Sequence, residues 1–401
     1  MMLPLMIFRS LKQHALSTVI TALSIALGGG LLMSVWAVKE QSQAVFTGVN
    51  AGFDGVLGAR GSKLQLVLNA VFHLEASPGN LAWSDFETIR SNANVALALP
   101  LAVGDNYKGY RLVGTLPDLL QQVEFAPGKR FTLPEGEEFF DAGRREAVVG
   151  SFAAQKLGLR RGDKFHPYHG LIFNEKDQHA ETYVVVGVLE PSNTPADRVI
   201  FIPLEGIQKM TGHAAYTATE ISAVLVKLKS PAAGFQMDQM YNKQGNRLTF
   251  AWPIGQVMME LFKKIGWFDQ LLALISYLVA LVATASILAS IYNSMNERRR
   301  EIAILRALGA RRHTIFGAIL FEAATISALG MVFAFAFYAA IMVGAAQVIR
   351  AQTGVVLDPW KFSWVMVWAP AALIALGALA GIVPAVKAYR TPVADYLVPV
   401  S

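Results

Sequence analysis

Four long apolar runs, at about 15–38, 268–294, 314–346 and 363–385, constrain this chain more than any other feature. Each holds the ~20 consecutive apolar residues needed to cross a hydrocarbon layer of ~30 Å. No water is present there to satisfy backbone amides and carbonyls, so such a run must close its own hydrogen bonds as a helix. Charge, proline and glycine return over 39–265, and no stretch there is long enough to span. The pattern predicts an integral membrane α-helical protein with four transmembrane helices and a large α+β domain between the first two.

Composition and charge fix the orientation. The chain has 401 residues, 54% of them hydrophobic and only 16% charged, which excludes an ordinary soluble protein. Mean hydropathy is +0.40. Cysteine is absent, which excludes a disulfide framework, a thiolate metal site and a cysteine nucleophile. The net charge of +6 could suggest nucleic acid, but the basic residues gather beside the spans, as Arg9/Lys12, Arg298–Arg312 and Lys387/Arg390. By the positive-inside rule all three clusters are cytoplasmic, which puts both termini inside and the large domain outside.

The order of segments follows. Residues 1–14 read as an interfacial helix, apolar on one face with Arg9 and Lys12 on the other. The first span, 15–38, exceeds the roughly 7–15 apolar residues of a signal-peptide core and is read as an uncleaved anchor. Its Gly28-Gly29-Gly30 permits close approach of another helix. In the outer domain, 39–253, alternating segments at 112–114, 147–150, 182–189, 199–202 and 223–228 read as strands. Helix-like stretches lie at 64–72, 84–92, 152–157 and 204–210. A stalk at 254–267 is expected to continue without a break into the second span, 268–294, as one helix to about 295. Ala285 and Ala289 give that span a small-residue face, for packing within the monomer or between copies. The third span, 314–346, carries Glu322 near its cytoplasmic end, read as structural. After a short outer loop, 347–362, the fourth span, 363–385, contains Pro370, a candidate kink, and the pair Gly377/Gly381. The tail, 386–401, is cytoplasmic.

Between the second and third spans lies a stretch, 295–313, of different character. Ile302, Leu305 and Leu308 recur at helical spacing, with Ile304 one turn before Leu308, and Gly309 stands where a left-handed cap would end the helix. A short amphipathic helix therefore hangs between two spans, where a cytoplasmic partner can push on it. Other motifs carry less. Gly58-Ala59-Arg60-Gly61-Ser62-Lys63 lacks the G-x-x-x-x-G-K-[ST] spacing of a phosphate loop, and no such loop occurs in the sequence, so nucleotide hydrolysis is assigned elsewhere. His166, His169 and His179, with Glu175 and Asp177 between, are the weak metal candidates. Pro167 breaks any helical spacing, so the expectation is no metal site and no cofactor on this chain. No nucleophile–base or paired-carboxylate arrangement argues for an enzyme.

The run from Glu297 to Ala310, E-R-R-R-E-I-A-I-L-R-A-L-G-A, resembles the E-R-x-R-E-I-x-I-L-R-A-L-G-A signature of FtsX-like ABC-transporter permeases, the group that includes MacB and LolC/LolE. Residues 146–163 resemble the E-x-V-I-G-x-x-L-A-x-x-L-G-L-x-x-G-D of MacB-type periplasmic domains, and 183–189 the following F-x-V-V-G-V-L strand. Residues 384–397 resemble the family's closing segment, departing from it at Asp395-Tyr396. The resemblance implies the type VII permease architecture, with a multi-pass chain in the bacterial inner membrane and its large domain in the periplasm. It also implies two copies of a cytoplasmic ABC ATPase carrying ATP and Mg, and a second permease copy or a sister permease. The implied function is mechanotransmission to a periplasmic domain for export, extraction or handling of substrate, with a periplasmic protein as a further partner. The residues it assigns to ATPase docking are Glu297, Arg298, Arg300, Glu301, Ile304, Leu305, Arg306, Leu308 and Gly309. The alternative is an FtsX-like regulatory scaffold that controls a periplasmic cell-wall hydrolase.

Overall fold

The structure is a computed structural model, and it describes residues 9, 11–13, 15–212, 219–297 and 299–390. Most of the expected interfacial helix 1–14 and of the tail beyond Arg390 therefore lies outside the described residues. The chain divides into two compact units: 1–41, 266–346 and 357–401 form the first, and 42–265 with 347–356 the second.

The first unit is helical. Four helices are long and apolar enough to cross a membrane: Ala15–Gly48, Gly266–Asn293, Arg312–Thr353 and Val365–Lys387. The third, at 42 residues, measures about 63 Å at ~1.5 Å per residue, twice the apolar thickness of a bilayer. Small residues set the packing. A Cβ on Gly30 would lie 2.7 Å from Phe337 Cβ and 3.0 Å from the Ala334 carbonyl. One on Gly330 would lie 2.7 Å from Ile25 Cβ; of the triglycine, Gly29 and Gly30 meet the third span and Gly28 meets Val279 of the second. Gly377 is closer still, with no room for a Cβ beside Ser327 Oγ. Ser327 returns its hydroxyl to the Ala323 carbonyl at 2.8 Å, which satisfies a donor that lipid could not. The fourth span is divided at Gly381, between Val365–Ala380 and Ile382–Arg390, while Pro370 sits inside an unbroken helix. Ala285 and Ala289 are exposed on this unit.

The second unit is an α+β domain on one ten-stranded mixed sheet. Its strands in chain order are β1 (Gly55–Ala59), β2 (Val95–Tyr107), β3 (Tyr110–Thr115), β4 (Glu146–Val149), β5 (Lys164–Phe165), β6 (Tyr168–His169), β7 (Tyr183–Val188), β8 (Ile200–Pro203), β9 (Ala223–Leu228) and β10 (Leu248–Ala251). The sheet order is β10-β1-β9-β2-β3-β8-β4-β7-β5, with β6 paired to β2. Both faces are buried, because alternate residues enter different cores. Val224, Val226, Ile200 and Ile202 enter one core, whereas Ala223, Leu225 and Phe201 enter the other. Phe86 and Ile89 of Trp83–Arg90 and Met237 of Pro231–Asp238 cover the first face. Leu66 and Val67 of Lys63–Ala70 and Leu120 of Asp118–Gln121 cover the second. Each such side chain contributes about 1.5–3 kcal/mol by leaving water.

Two elements differ from the sequence reading. The segment 254–295 is two helices, Ile254–Lys264 and Gly266–Glu297, divided at Ile265 where the backbone leaves helical geometry at ψ 3°. The first of them is not a free stalk, since Ile254, Val257 and Met258 are buried in the domain's second core. Its strongly one-sided apolar pattern had merged in sequence with the span behind it. The second difference is β2, the 13-residue central strand, which is not among the alternating segments given above and contains Pro100 and Gly104. Pro100 is tolerated because the β2–β3 ladder ends at Ala102↔Gly114, and the Pro100 carbonyl instead accepts the Thr115 hydroxyl at 2.9 Å.

Candidate functional site

The helix between the second and third spans is Arg299–Ala307. Its end is built as the sequence suggests. The Leu308 amide donates to Ile304 O at 2.9 Å and the Gly309 amide to Arg306 O at 3.1 Å. Gly309 takes φ +98°, a left-handed value that glycine adopts without a Cβ clash. The helix then has two unlike faces. Ile302 and Ala303 are buried, and Ile302 joins Ile291, Ile315 and Ile319 in the core of the bundle. Ile304 and Leu308, one turn apart, are 44% and 79% exposed. The apolar residues thus form an anchor on one side and a free pair on the other, a division that periodicity alone had treated as one stripe. Arg306 is half-buried. Arg298, and the side chains of Glu297, Arg300, Glu301 and Leu305, lie outside the described residues. Nearby basic groups rest on aromatic rings, with Lys387 Nζ 3.9 Å from the Tyr292 ring centre and the Arg312 guanidinium 5.5 Å from that of Tyr389.

In the outer domain the candidate histidines separate. His166 turns its Nδ1 to the Glu181 carbonyl, 3.1 Å away. His169 and His179 instead converge on Asp105, a residue the sequence reading did not consider. The register of β6 against β2 sets Asp105 directly opposite His169. The Asn106 side chain fixes the turn beyond, its Nδ2 donating to Gly170 O at 2.8 Å. The intervening loop returns so that the His179 amide donates to the Pro167 carbonyl at 2.8 Å. Asp105 Oδ1 then lies 3.1 Å from His179 Nε2 and 3.4 Å from His169 Nδ1. Asp105 and His179 are buried, whereas His169 is exposed. Nothing in the sequence near His169 signals Asp105, because only a long-range strand pairing joins them.

Behind this trio, Glu181 holds Thr211, accepting from its amide at 3.0 Å and its hydroxyl at 2.6 Å. Burial works to raise the Glu181 pKa, but these bonds outweigh it and hold the carboxyl below its ordinary value. Thr211 in turn accepts the His179 Nδ1 hydrogen through its carbonyl at 2.8 Å.

A separate recess of about 240 Å³ in the same domain is lined by His73, Tyr110, Arg111, Arg198 and Gln352. Burial lowers the pKa of both guanidiniums, with Glu75 opposing and Arg198 adding to the effect on Arg111. Arg111 donates to the Glu75 carbonyl and Arg198 to that of Gln352.

Taken together, the four spans and the inserted sheet domain define a multi-pass α-helical membrane protein with a large α+β extramembrane domain. Residues 18–239 match the MacB-like periplasmic core domain, and residues 273–393 match the FtsX-like permease C-terminal region. The chain belongs to this family of FtsX-like permeases with a MacB-like periplasmic core domain. The Macrolide export ATP-binding/permease protein MacB of Brucella abortus is 24% identical over 411 residues, covering 96% of this chain and 58% of that protein. Its counterpart in Brucella melitensis biotype 1 is 25% identical over 412 residues, with the same coverage. The chain therefore spans a little over half the length of the curated relatives it matches. The crystal structure of the periplasmic region of MacB from Actinobacillus actinomycetemcomitans aligns with a TM-score of 0.34 at 10% identity, over 54% of this chain and 94% of that one.

Proposed function

We propose that this chain is the permease subunit of a MacB/LolCDE-type ABC transporter in a bacterial inner membrane. In this reading it conveys motion from a cytoplasmic ATPase to its periplasmic domain. The observation that carries the proposal is the two-faced helix Arg299–Ala307: Ile302 roots it in the bundle, and Ile304 and Leu308 stand free for a partner. An apolar pair exposed on a rigid, basic cytoplasmic element is suited to seat in an ATPase groove. ATP and Mg bind outside these 401 residues, on a separate ATPase present in two copies. No phosphate loop is found within them. The permease works as a dimer, with itself or a sister chain, and the exposed Ala285/Ala289 face on the second span suits that contact. The sheet domain is joined in sequence to the first span and to the second, so motion of either helix loads it from both ends. Substrate is extracted, exported or otherwise handled on the periplasmic side.

The test is Leu308→Glu, which puts a charge into the proposed contact without touching the buried Ile302. Membranes carrying the native chain are expected to yield an ABC ATPase on mild detergent purification. The variant is expected to insert normally and retain less than a tenth of that ATPase, as loss of more than ~1.4 kcal/mol implies. Equal retention, or a native chain that brings down a cell-wall hydrolase and no ATPase, would overturn the reading.

A further inference from the structure

We infer that Asp105, His169 and His179 form a zinc-binding site in the outer domain. This assignment stands apart from the transporter reading, because it rests on the geometry of the domain alone. It also reverses the expectation drawn from the sequence, which considered the three histidines of one loop and found no preorganisation. The fold supplies that preorganisation by bringing a buried carboxylate from β2 against β6.

Convergence is the first argument. His179 turns its Nδ1 to the Thr211 carbonyl, 2.8 Å away, which leaves Nε2 facing Asp105 Oδ1 at 3.1 Å. His169 Nδ1 approaches the same oxygen at 3.4 Å. A strand, its paired neighbour and the returning loop each bring one donor atom to a common point.

The spacing is the second argument. Zinc holds imidazole nitrogen and carboxylate oxygen at ~2.0–2.2 Å, so neighbouring tetrahedral donors lie about 3.3–3.5 Å apart. The distances of 3.1 and 3.4 Å from Asp105 Oδ1 fall beside that value, and all three donor atoms lie within 4.8 Å of one another. Two imidazoles with one carboxylate suit zinc and disfavour calcium and magnesium, which take oxygen donors.

The third argument is the surrounding shell. A zinc-ligating histidine characteristically gives its other ring hydrogen to a carbonyl or carboxylate. Here the acceptor is Thr211, itself fixed by Glu181 through two hydrogen bonds. Exposed His169 provides the route for the ion to enter, while Asp105 and His179 are closed from solvent.

The test uses the full-length chain in detergent, purified on a tag without histidine and treated with chelator. Zinc chloride is titrated by calorimetry, and metal retained after desalting is measured by mass spectrometry. One zinc per chain is expected. His169→Ala and His179→Ala should each weaken binding at least ~10-fold, whereas His166→Ala should leave it unchanged. Because His169 is exposed, its variant should melt with the native protein in the absence of metal, which separates loss of a ligand from loss of fold. Cobalt in place of zinc should give visible absorption bands that disappear in His169→Ala. Absence of stoichiometric zinc in the native chain would overturn the site. So would equal binding by His169→Ala and the native protein, leaving only a hydrogen-bonded cluster.

Discussion

His73 shows how much one residue of the outer domain is bound to its surroundings. Burial, and after it the positive charge of Arg111, pull its pKa from 6.5 to about 3, so the ring stays neutral in the fold. The linkage has a definite sign. Below pH 6.5 the unfolded chain takes up a proton that the folded domain refuses, so stability present above that pH is lost as pH falls towards 3. One such group contributes a slope of up to ~1.4 kcal/mol per pH unit. His73 also sits at φ +54°, which asparagine tolerates better than most residues. His73→Asn is therefore expected to flatten the fall in melting temperature between pH 7 and pH 4, measured on the full-length protein in detergent. An unchanged slope would show that other groups govern the acid side. At this same scale the histidine cluster was half legible. His169 and His179 stand near each other in sequence, but Asp105 reaches them only through the pairing of β2 with β6, which no local pattern records.

Among elements, the apolar helices were readable because lipid imposes a single rule along their whole length. The strands at 182–189 and 223–228 were readable because apolar and β-branched residues crowd them, buried at every second position in the first and at all but Lys227 in the second. What escaped were the places where tertiary contact overrides local preference, such as Pro100 in the central strand and the seam at Ile265. Helix packing in the membrane unit gives a paired test. At Gly30 a methyl group would press on the Ala334 backbone as well as Phe337, so Gly30→Ala must push two helices apart. Overpacking of that kind costs about 1–3 kcal/mol. Gly317, in the same helix as Ala334, has nothing within 4 Å of a built Cβ. Gly317→Ala should be neutral or gain up to ~1 kcal/mol from helix propensity. Thermal unfolding in one detergent compares the two. Equal effects would mean that the first and third spans do not meet at this glycine.

For the whole molecule the central claim is mechanical: nucleotide at a cytoplasmic ATPase alters the arrangement of the outer domains through helices that run between. The chain contains no cysteine, so a single introduced thiol reports without interference. Lys156 is exposed on the helix Ser151–Leu157 of the sheet domain and can carry a spin label as Lys156→Cys. In a nanodisc with its ATPase, the label-to-label distance across the permease dimer can be measured by pulsed electron–electron double resonance. Measurements are made without nucleotide and with trapped ATP. A shift in the distance distribution on ATP binding is expected, together with its loss when Leu308→Glu is added. An identical distribution in both nucleotide states, in a complex that hydrolyses ATP, would contradict transmission of motion to the outer domain.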